Sequence, residues 1–436
     1  MICSHPDSSK KSKMLVPTIF AILAMLSLIF IPNDFEYFVS DIPISRWFLA
    51  VFFIIAAAMS FFTQSNKQKK EEQMKRKPRG ACKDGMKAAT IDQYGEDVIR
   101  LTDNNPRPEK LMDDEILIRV KAASINPIDL RISTGYGRVI LNKMRRGFNY
   151  PAGDGKEFPI TLGRDCAGIV EAVGNNVKKF KEGQEIWGAI HVARPNACLA
   201  ELVVVKEGEI SLKPRDITFE QAASIPYVFL TVWSAIEGCI SEEDAKGKRV
   251  LVLGGTGGIG TFAIQLFKAW GCDVTTTCSS TGASLVEKLG VDDVIDYKLQ
   301  DLSEALEGKP KFDLILDTIG PTMYSSCFSA CKWGGRIVSL VSPVMPLVDD
   351  HGLVLGGVKV FWRYIQLSIL KRLIFGKRFS WGFFSPNGKA LKYVRRLVDD
   401  RKVRPVVEKI FNIEDVTKAF DHVAEGHSRG KTVVRF

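Results

Sequence analysis

From residue 84 onward the chain alternates short apolar runs with turn residues, and the period of that alternation changes near residue 218. Before the change, ILIRVKAASI, GIVEAVG, EIWGAI and LAELVVV are short, rich in β-branched residues and bounded by Gly, Pro, Asn and Asp. Such runs predict the strands of a compact β-rich domain. FEQAASIPYVFLTVWSAI then reads as helix. After it, RVLVLGG, IGTFAIQLFKAWG, DVTTTC, ASLVEKLG, DDVIDY, KFDLILDTIG and GGRIVSLV alternate strand with helix, the rhythm of a doubly wound parallel α/β sheet. The last segment, FNIEDVTKAFDHVAEGHSRGKTVVRF, predicts a helix and a terminal strand.

The first 83 residues follow another pattern. Residues 14–31 and 47–62 carry no charge, and at about 1.5 Å rise per residue the first run just spans a bilayer core. The segment between them is mostly acidic, whereas Lys10, Lys11 and Lys13 precede the first run and a basic stretch from Lys67 to Arg79 follows the second. Retention of positive charge on one side predicts an N-terminal transmembrane helical hairpin. A single span with an interfacial helix is the alternative. No small-residue cleavage site follows Ile31, which argues against a secretory signal peptide. The expected organisation is a tail and two-helix anchor over 1–63, a basic linker over 64–83, and a β-rich catalytic domain over 84–225. A nucleotide-binding domain over 226–385 and a return to the catalytic domain over 386–436 complete it.

Charge changes this picture little. The net charge is +10, but residues 1–80 hold eleven Lys and Arg against six Asp and Glu, so half the excess lies in those residues. The rest is a solvated surface, and no nucleic-acid partner is expected. Nine cysteines are scattered without Cys-x-x-Cys spacing, which fits a reducing compartment and excludes a zinc knuckle. Cys327 and Cys331 are spaced for one helical face.

The strongest local signal is LVLGGTGGIGTFAIQLFKAWG. Gly255-x-Gly257-x-x-Gly260 lies between an apolar strand and an amphipathic helix, the arrangement in which backbone N–H groups and a helix N-terminus meet a pyrophosphate. The next strand ends in Cys278-Ser279-Ser280 instead of an acidic residue. Ser279 can donate to a 2′-phosphate and Tyr297 is a second candidate contact, which favours NADPH over NADH. Ordinary strand-end polar residues are the alternative.

The β-rich module followed by the nucleotide module, with Asn126-Pro127-Ile128-Asp129, Gly163-Arg164-Asp165, GGTGGIG and Gly430-Lys431 in that order, resembles the medium-chain dehydrogenase/reductase superfamily. The likeness covers nearly all of residues 84–436 and is to the metal-free quinone oxidoreductase branch. ASINPIDLRISTGYG, FPITLGRDCAG, QAASIPYVFLTVWSAI, DDVIDYK and GHSRGKTV are similar to the family of mitochondrial reticulon-interacting oxidoreductases. The resemblance implies a GroES-like catalytic domain joined to a Rossmann domain, NADPH as cofactor, a mitochondrial setting, a link to ubiquinone biosynthesis and a reticulon-type partner. Homodimers are common in the superfamily. That family usually begins with a short presequence, so the two apolar runs here point to a membrane-bound form. The outer membrane facing the cytosol, the inner membrane facing the matrix and the endoplasmic reticulum are all open. By resemblance Thr256, Gly258, Ile259, Ser279 and Tyr297 bind the cofactor, Leu340 flanks its nicotinamide, and His427, Ser428 and Arg429 reach it from the C-terminal loop.

Where zinc-dependent relatives place their metal ligands, this chain has Asn126, Arg164 and Tyr227. An arginine does not surrender a proton to a cation, so no zinc is expected. Without that Lewis acid, conjugate reduction of a quinone or activated alkene is favoured over alcohol–carbonyl exchange, because hydrogen-bond donors can stabilise the delocalised anion it develops. The candidate donors are the Asn126 amide and the hydroxyls of Tyr136 and Tyr227. Each has a structural alternative: Asn126-Pro127 as a turn, Tyr136 as loop packing, and Asp129 and Asp165 as buried partners of Arg131 or Arg164. The apolar, aromatic and basic stretch within 343–385 reads as ordinary helix and strand, a membrane contact or a lid. Phe383 and Phe384 are placed beside the nicotinamide. Three functions compete: a quinone or enone reductase, a membrane-tethered NADPH-binding adaptor or redox sensor, and a metal-dependent alcohol dehydrogenase.

Overall fold

Alternate burial along an eleven-residue run sets up the first half of the molecule. In the strand β3 (Glu115–Ile125), Ile116, Ile118, Val120 and Ala122 are all buried, so a period of two faces one side of the strand into the core. In this computed structural model the described residues are 85–147, 157–426 and 428–436. The expected hairpin and linker and His427 lie outside them. A small sheet holds β1 (Gly85–Ile91) between β2 (Arg100–Pro106) and β4 (Ile160–Thr161). The larger sheet adds β5 (Asp165–Val173), β6 (Glu185–Ala189), β7 (Leu202–Lys206) and β8 (Ile210–Leu212) from the same half of the chain. The C-terminal strands β15 (Val407–Asn412) and β16 (Lys431–Arg435) complete it, in the order β15-β16-β3-β5-β6-β8 with β7 also on β3. Between β3 and β4 run α1 (Pro127–Ser133) and α2 (Arg138–Gly147).

The helical stretch expected after residue 218 is two helices. Thr218 caps the first by accepting from the Gln221 N–H, and Pro226 begins the second, α3 (Pro226–Ile236). Proline has no N–H to donate into a preceding turn and is suited to a first helical position. Most of α3 is buried all round, and its Phe229 and Leu230 join a core that runs from Trp187 of β6 to Val250 and Leu316 of the next domain. A helix that is apolar on every side belongs in an interior.

The second half is a six-stranded parallel sheet. Its strands are β9 (Arg249–Val252), β10 (Asp273–Cys278), β11 (Asp293–Asp296), β12 (Phe312–Asp317), β13 (Cys331–Ser339) and β14 (Arg378–Trp381), in the order β11-β10-β9-β12-β13-β14. The order reverses between β9 and β12, and such a switch point opens a crevice at the carboxyl ends of the strands. α4 (Gly258–Ala269) follows β9 and α5 (Ser280–Lys288) follows β10. The first half is therefore GroES-like and the second Rossmann-type. Cys327 ends up in a helix and Cys331 opens β13, so the two do not share a helical face.

The long segment before β14 is helical: α6 (Val344–Tyr364), a π-helical turn over Ile365–Leu370, and α7 (Lys371–Phe375). Gly352, at φ +73°, bends α6 near its first third. The helix α8 (Gly388–Asp399) then packs its buried Leu391, Val394 and Leu397 into the shared core before the chain returns to β15 and β16.

Candidate functional site

The site is built where the start of β16, in the larger sheet of the first domain, meets the glycine turn of the second. Lys431 is buried and its stem runs beneath the glycine turn, where a Cβ added at Gly258 would meet Lys431 Cδ at 2.6 Å. Its ammonium donates to the carbonyl of Ile125 at 2.9 Å and to Asn126 Oδ1 at 2.5 Å. One side chain thus ties the nucleotide half to the catalytic half.

On the catalytic side lies a buried polar cluster. Asn126 Nδ2 donates to Asp165 Oδ1 at 3.0 Å, and Ser124 Oγ donates to the same oxygen at 2.6 Å. Asp165 Oδ2 accepts the Tyr227 N–H at 3.1 Å, at the start of α3, where a helix favours negative charge. Asp129 Oδ2 accepts the Asn126 N–H at 3.0 Å, and its Oδ1 accepts from Gly163 N at 2.9 Å and Arg164 Nε at 3.2 Å. Arg164 Nη1 donates to the Arg194 carbonyl at 3.0 Å. Asp129, Asp165 and Arg164 are fully buried. Burial pushes both carboxyls up from their ordinary range, opposed by Arg164 beside Asp129 and by Lys431 beside Asp165. Burial lowers Lys431 against the same two carboxylates.

These contacts decide whether a zinc ion fits. Asn126 already accepts from Lys431 and donates to Asp165, Arg164 is a permanent cation committed to Asp129, and Tyr227 is a phenol raised by burial. The donor set does not fit zinc. Among the described residues no cluster of three or more His, Cys, Asp or Glu side chains could hold a metal.

Two tyrosines border the cluster. Tyr227 is half-buried and stacks on Phe384 with ring centroids 4.5 Å apart. Burial raises its phenol strongly, and Asp129, Asp165 and Tyr136 add to the rise. Tyr136 is also raised by burial, with Arg131 opposing from 5.7 Å over its ring. Both phenols therefore remain protonated donors well above neutral pH. The loop carrying Tyr136 is latched by a residue that sequence reasoning missed: Asp349 of α6 accepts from Gly137 N at 2.5 Å and Val139 N at 3.0 Å.

On the nucleotide side, the turn from Gly254 to Gly260 follows β9. A Cβ at Gly260 would meet the Gly254 carbonyl oxygen at 2.2 Å, so closure of the turn requires glycine there. At Gly257 the nearest atom would be 3.8 Å away, so that position is left open for something other than protein. The N–H groups of Gly258, Ile259 and Gly260 begin α4 and have no acceptor within it. Gly255 is buried, while Thr256, Gly257, Gly258 and Ile259 are half-exposed. The C-terminal loop comes to this turn, since Gly257 and Gly430 form a parallel β-bridge. That brings half-buried Ser428 and exposed Arg429 to the turn by chain connection. Leu340 follows β13 and packs against Gly382 and the α3 core.

At the end of β10, Ser279 Oγ lies 3.1 Å from Thr281 Oγ1, and Tyr297 is exposed after β11. Ser280 donates to Asp296. This carboxylate differs from the sequence expectation, which considered only the end of β10. Parallel pairing sets Cys278 beside Asp296, so the neighbouring strand supplies the acid. The turn, the open helix start and the hydroxyl groups fit a dinucleotide. A cavity of about 520 Å³ elsewhere, lined by Asp114, His191, Lys206 and Pro386, contains none of these groups.

Comparison with known proteins now bears on the same residues. An alcohol dehydrogenase GroES-like domain matches residues 112–215, and a zinc-binding dehydrogenase domain matches residues 289–434. The mitochondrial NAD(P)H oxidoreductase RTN4IP1 of Danio rerio is 43% identical over 354 residues, 80% of this chain and 91% of its own length. The chain belongs to the medium-chain dehydrogenase/reductase superfamily. The chloroplastic NADPH-dependent alkenal/one oxidoreductase of Arabidopsis thaliana is 33% identical, covering 80% of this chain and 79% of its own. The solved quinone oxidoreductase of Coxiella burnetii is 29% identical with a TM-score of 0.66, covering 80% of this chain and 99% of its own.

Proposed function

We propose that this protein is a zinc-independent, NADPH-dependent oxidoreductase that transfers hydride to a quinone or activated alkene. The observation that carries the reading is the pairing of an open glycine turn with a buried, internally bonded polar cluster unfit for a metal, across Lys431. The names of the superfamily relatives, NAD(P)H, alkenal/one and quinone oxidoreductases, support it.

Bound NADPH supplies the hydride. The turn at Gly255, Thr256, Gly257, Gly258, Ile259 and Gly260 would hold the pyrophosphate, and Ser279, Ser280, Tyr297 and Arg429 would hold the ribose phosphate. Leu340 would contact the nicotinamide. Hydride addition to a quinone leaves an anion that takes one proton to become a hydroquinone. The protonated phenols of Tyr136 and Tyr227 supply hydrogen bonds to that developing oxygen, and Tyr136 or a water supplies the proton. Asn126 lends its remaining N–H and holds the cluster's geometry. The stacked Tyr227 and Phe384 rings give the site one aromatic wall.

The setting we propose is a mitochondrial membrane, through an anchor over residues 14–62, in ubiquinone metabolism. A reticulon-type protein is the proposed partner, and a homodimer the proposed assembly. Mitochondrial relatives support the compartment. The second reading, an NADPH-binding adaptor, is favoured by one observation: both ends of the Asn126 amide are already bonded. Titration of NADPH against NADH, followed by cofactor oxidation with a short-chain ubiquinone analogue, separates the two. Tight NADPH binding with turnover is the expected result. Binding without oxidation by any quinone or enone moves the function to the adaptor.

A further inference from the structure

The segment between β13 and β14 has two unlike faces. Val360 and Leu367 pack inward with Phe379 and Trp381, and Ser368 Oγ bonds the Phe379 carbonyl at 2.9 Å. The outward face is apolar. Of the seventeen large apolar side chains exposed among the described residues, ten fall between Val354 and Phe375, so this is one concentrated patch. Contiguous exposed apolar surface marks an interaction site. Trp333, 74% exposed, joins it, because the position of a Gly376 Cβ would touch the Trp333 ring.

Charge identifies the occupant. No Asp or Glu occurs between Asp350 and Asp399, whereas Lys359, Arg363 and Lys371 are interleaved with the apolar stripe. Lys371 lies 4.9 Å over the Phe375 ring, so its charge remains beside the apolar surface. A second copy of this face would set like charges against each other. An acidic lipid surface complements both the cations and the apolar stripe, and tryptophans such as Trp333 and Trp362 are suited to the head-group level. The helical run of 32 residues is long and apolar enough to cross a bilayer, but its inner side is committed to the sheet and Gly352 bends it. Such a run is suited to lying on a membrane rather than crossing it.

We propose that the outward face of α6 and α7 docks on an anionic phospholipid surface. Through Asp349, the first turns of α6 also hold the Tyr136 loop, so docking brings the substrate-facing loop to the layer in which a lipophilic substrate dissolves. That last consequence rests on the reductase reading; the docking does not.

The protein to use is Cys82–Phe436, a compact unit with its own cores, matched by a solved chain over 99% of that chain's length. It excludes the N-terminal apolar runs. Co-sedimentation is measured with phosphatidylcholine vesicles and with vesicles containing roughly one quarter phosphatidylserine. Binding is expected on the acidic vesicles, weakened by salt. Leu355→Glu, Trp362→Glu and Leu373→Glu together, all at exposed positions, reduce it by about tenfold or more with an unchanged melting temperature. Lys359→Glu with Lys371→Glu reduces it on acidic vesicles, as charge attraction requires. Absence of wild-type binding overturns the proposal. So does undiminished binding by the triple variant, or a triple variant that turns a dimer into a monomer without changing vesicle binding. Turnover of a water-soluble quinone, read in the same samples, reports on the reductase separately.

Discussion

Two polar regions face each other across Lys431, and they are built on opposite plans. Around Asn126, two buried carboxylates meet two buried cations, and both carboxylates accept hydrogen bonds within the protein. Around Gly257, backbone donors are left open and space is kept where a side chain would otherwise stand. The carboxylates of the first region find their donors within the protein, whereas the helix-start N–H groups of the second find no acceptor in their own helix. Positions that resemble the metal-ligand positions of zinc-dependent dehydrogenases here form the frame that orients Asn126 and the start of α3.

The largest expected effect breaks the first region. Arg164→Met leaves Asp129 buried without its cation, and removal of one partner of a buried pair costs about 3–5 kcal/mol. Chemical denaturation of Cys82–Phe436 measures it. If the account is right, adding Asp129→Leu recovers much of the loss, because apolar replacement of both partners is often neutral. A single substitution with no cost would mean that the cluster is not a balanced unit.

Gly257→Ala touches only the second region. Its Cβ clears every protein atom by ordinary contact distance, so the melting temperature is expected to hold. NADPH affinity is expected to fall by about a hundredfold, or about 2.8 kcal/mol, because the methyl group enters the space kept for the pyrophosphate. Titration calorimetry checks it, and equal affinity would move the cofactor elsewhere.

Tyr136→Phe is expected to lower kcat by about tenfold while leaving NADPH binding intact, with water replacing part of the lost donor. The pH profile sharpens this. Burial raises both the Tyr136 and Tyr227 phenols, and for an acid a raised pKa extends the protonated form to higher pH. Activity should therefore show no alkaline fall from these groups below about pH 10, the ordinary tyrosine value. A fall below that range which disappears in Tyr136→Phe would contradict the assignment.

The smallest effect is at the latch. Asp349→Asn keeps the size of the side chain but weakens charge-assisted bonds to Gly137 and Val139, and a few-fold rise in KM for quinone is expected, with kcat nearly unchanged. Steady-state kinetics at saturating NADPH measures it.

Where function depends on neighbours in sequence, the chain could be read directly. The glycine turn, its strand and its helix are contiguous, and the period change near residue 218 marks where the parallel sheet begins. Asn126, Arg164 and Tyr227 were legible as a set because the superfamily pattern aligns them. What was hidden depends on long-range pairing. Lys431 reaches Asn126 only because β16 pairs with β3. Asp296 meets Ser280 only through the register of β10 on β11, and Asp349 meets the Tyr136 loop across more than two hundred residues. The apolar stretch before β14 was visible as composition, but which side of it faces outward required the sheet beneath it.

The most direct test of the central claim is NADPH oxidation by a soluble quinone before and after exhaustive chelation of divalent metal. The same rate is expected in both samples, with no gain on adding zinc, because Arg164, Asn126 and Tyr227 offer no site for it. Loss of turnover on chelation, restored by stoichiometric zinc, would contradict it.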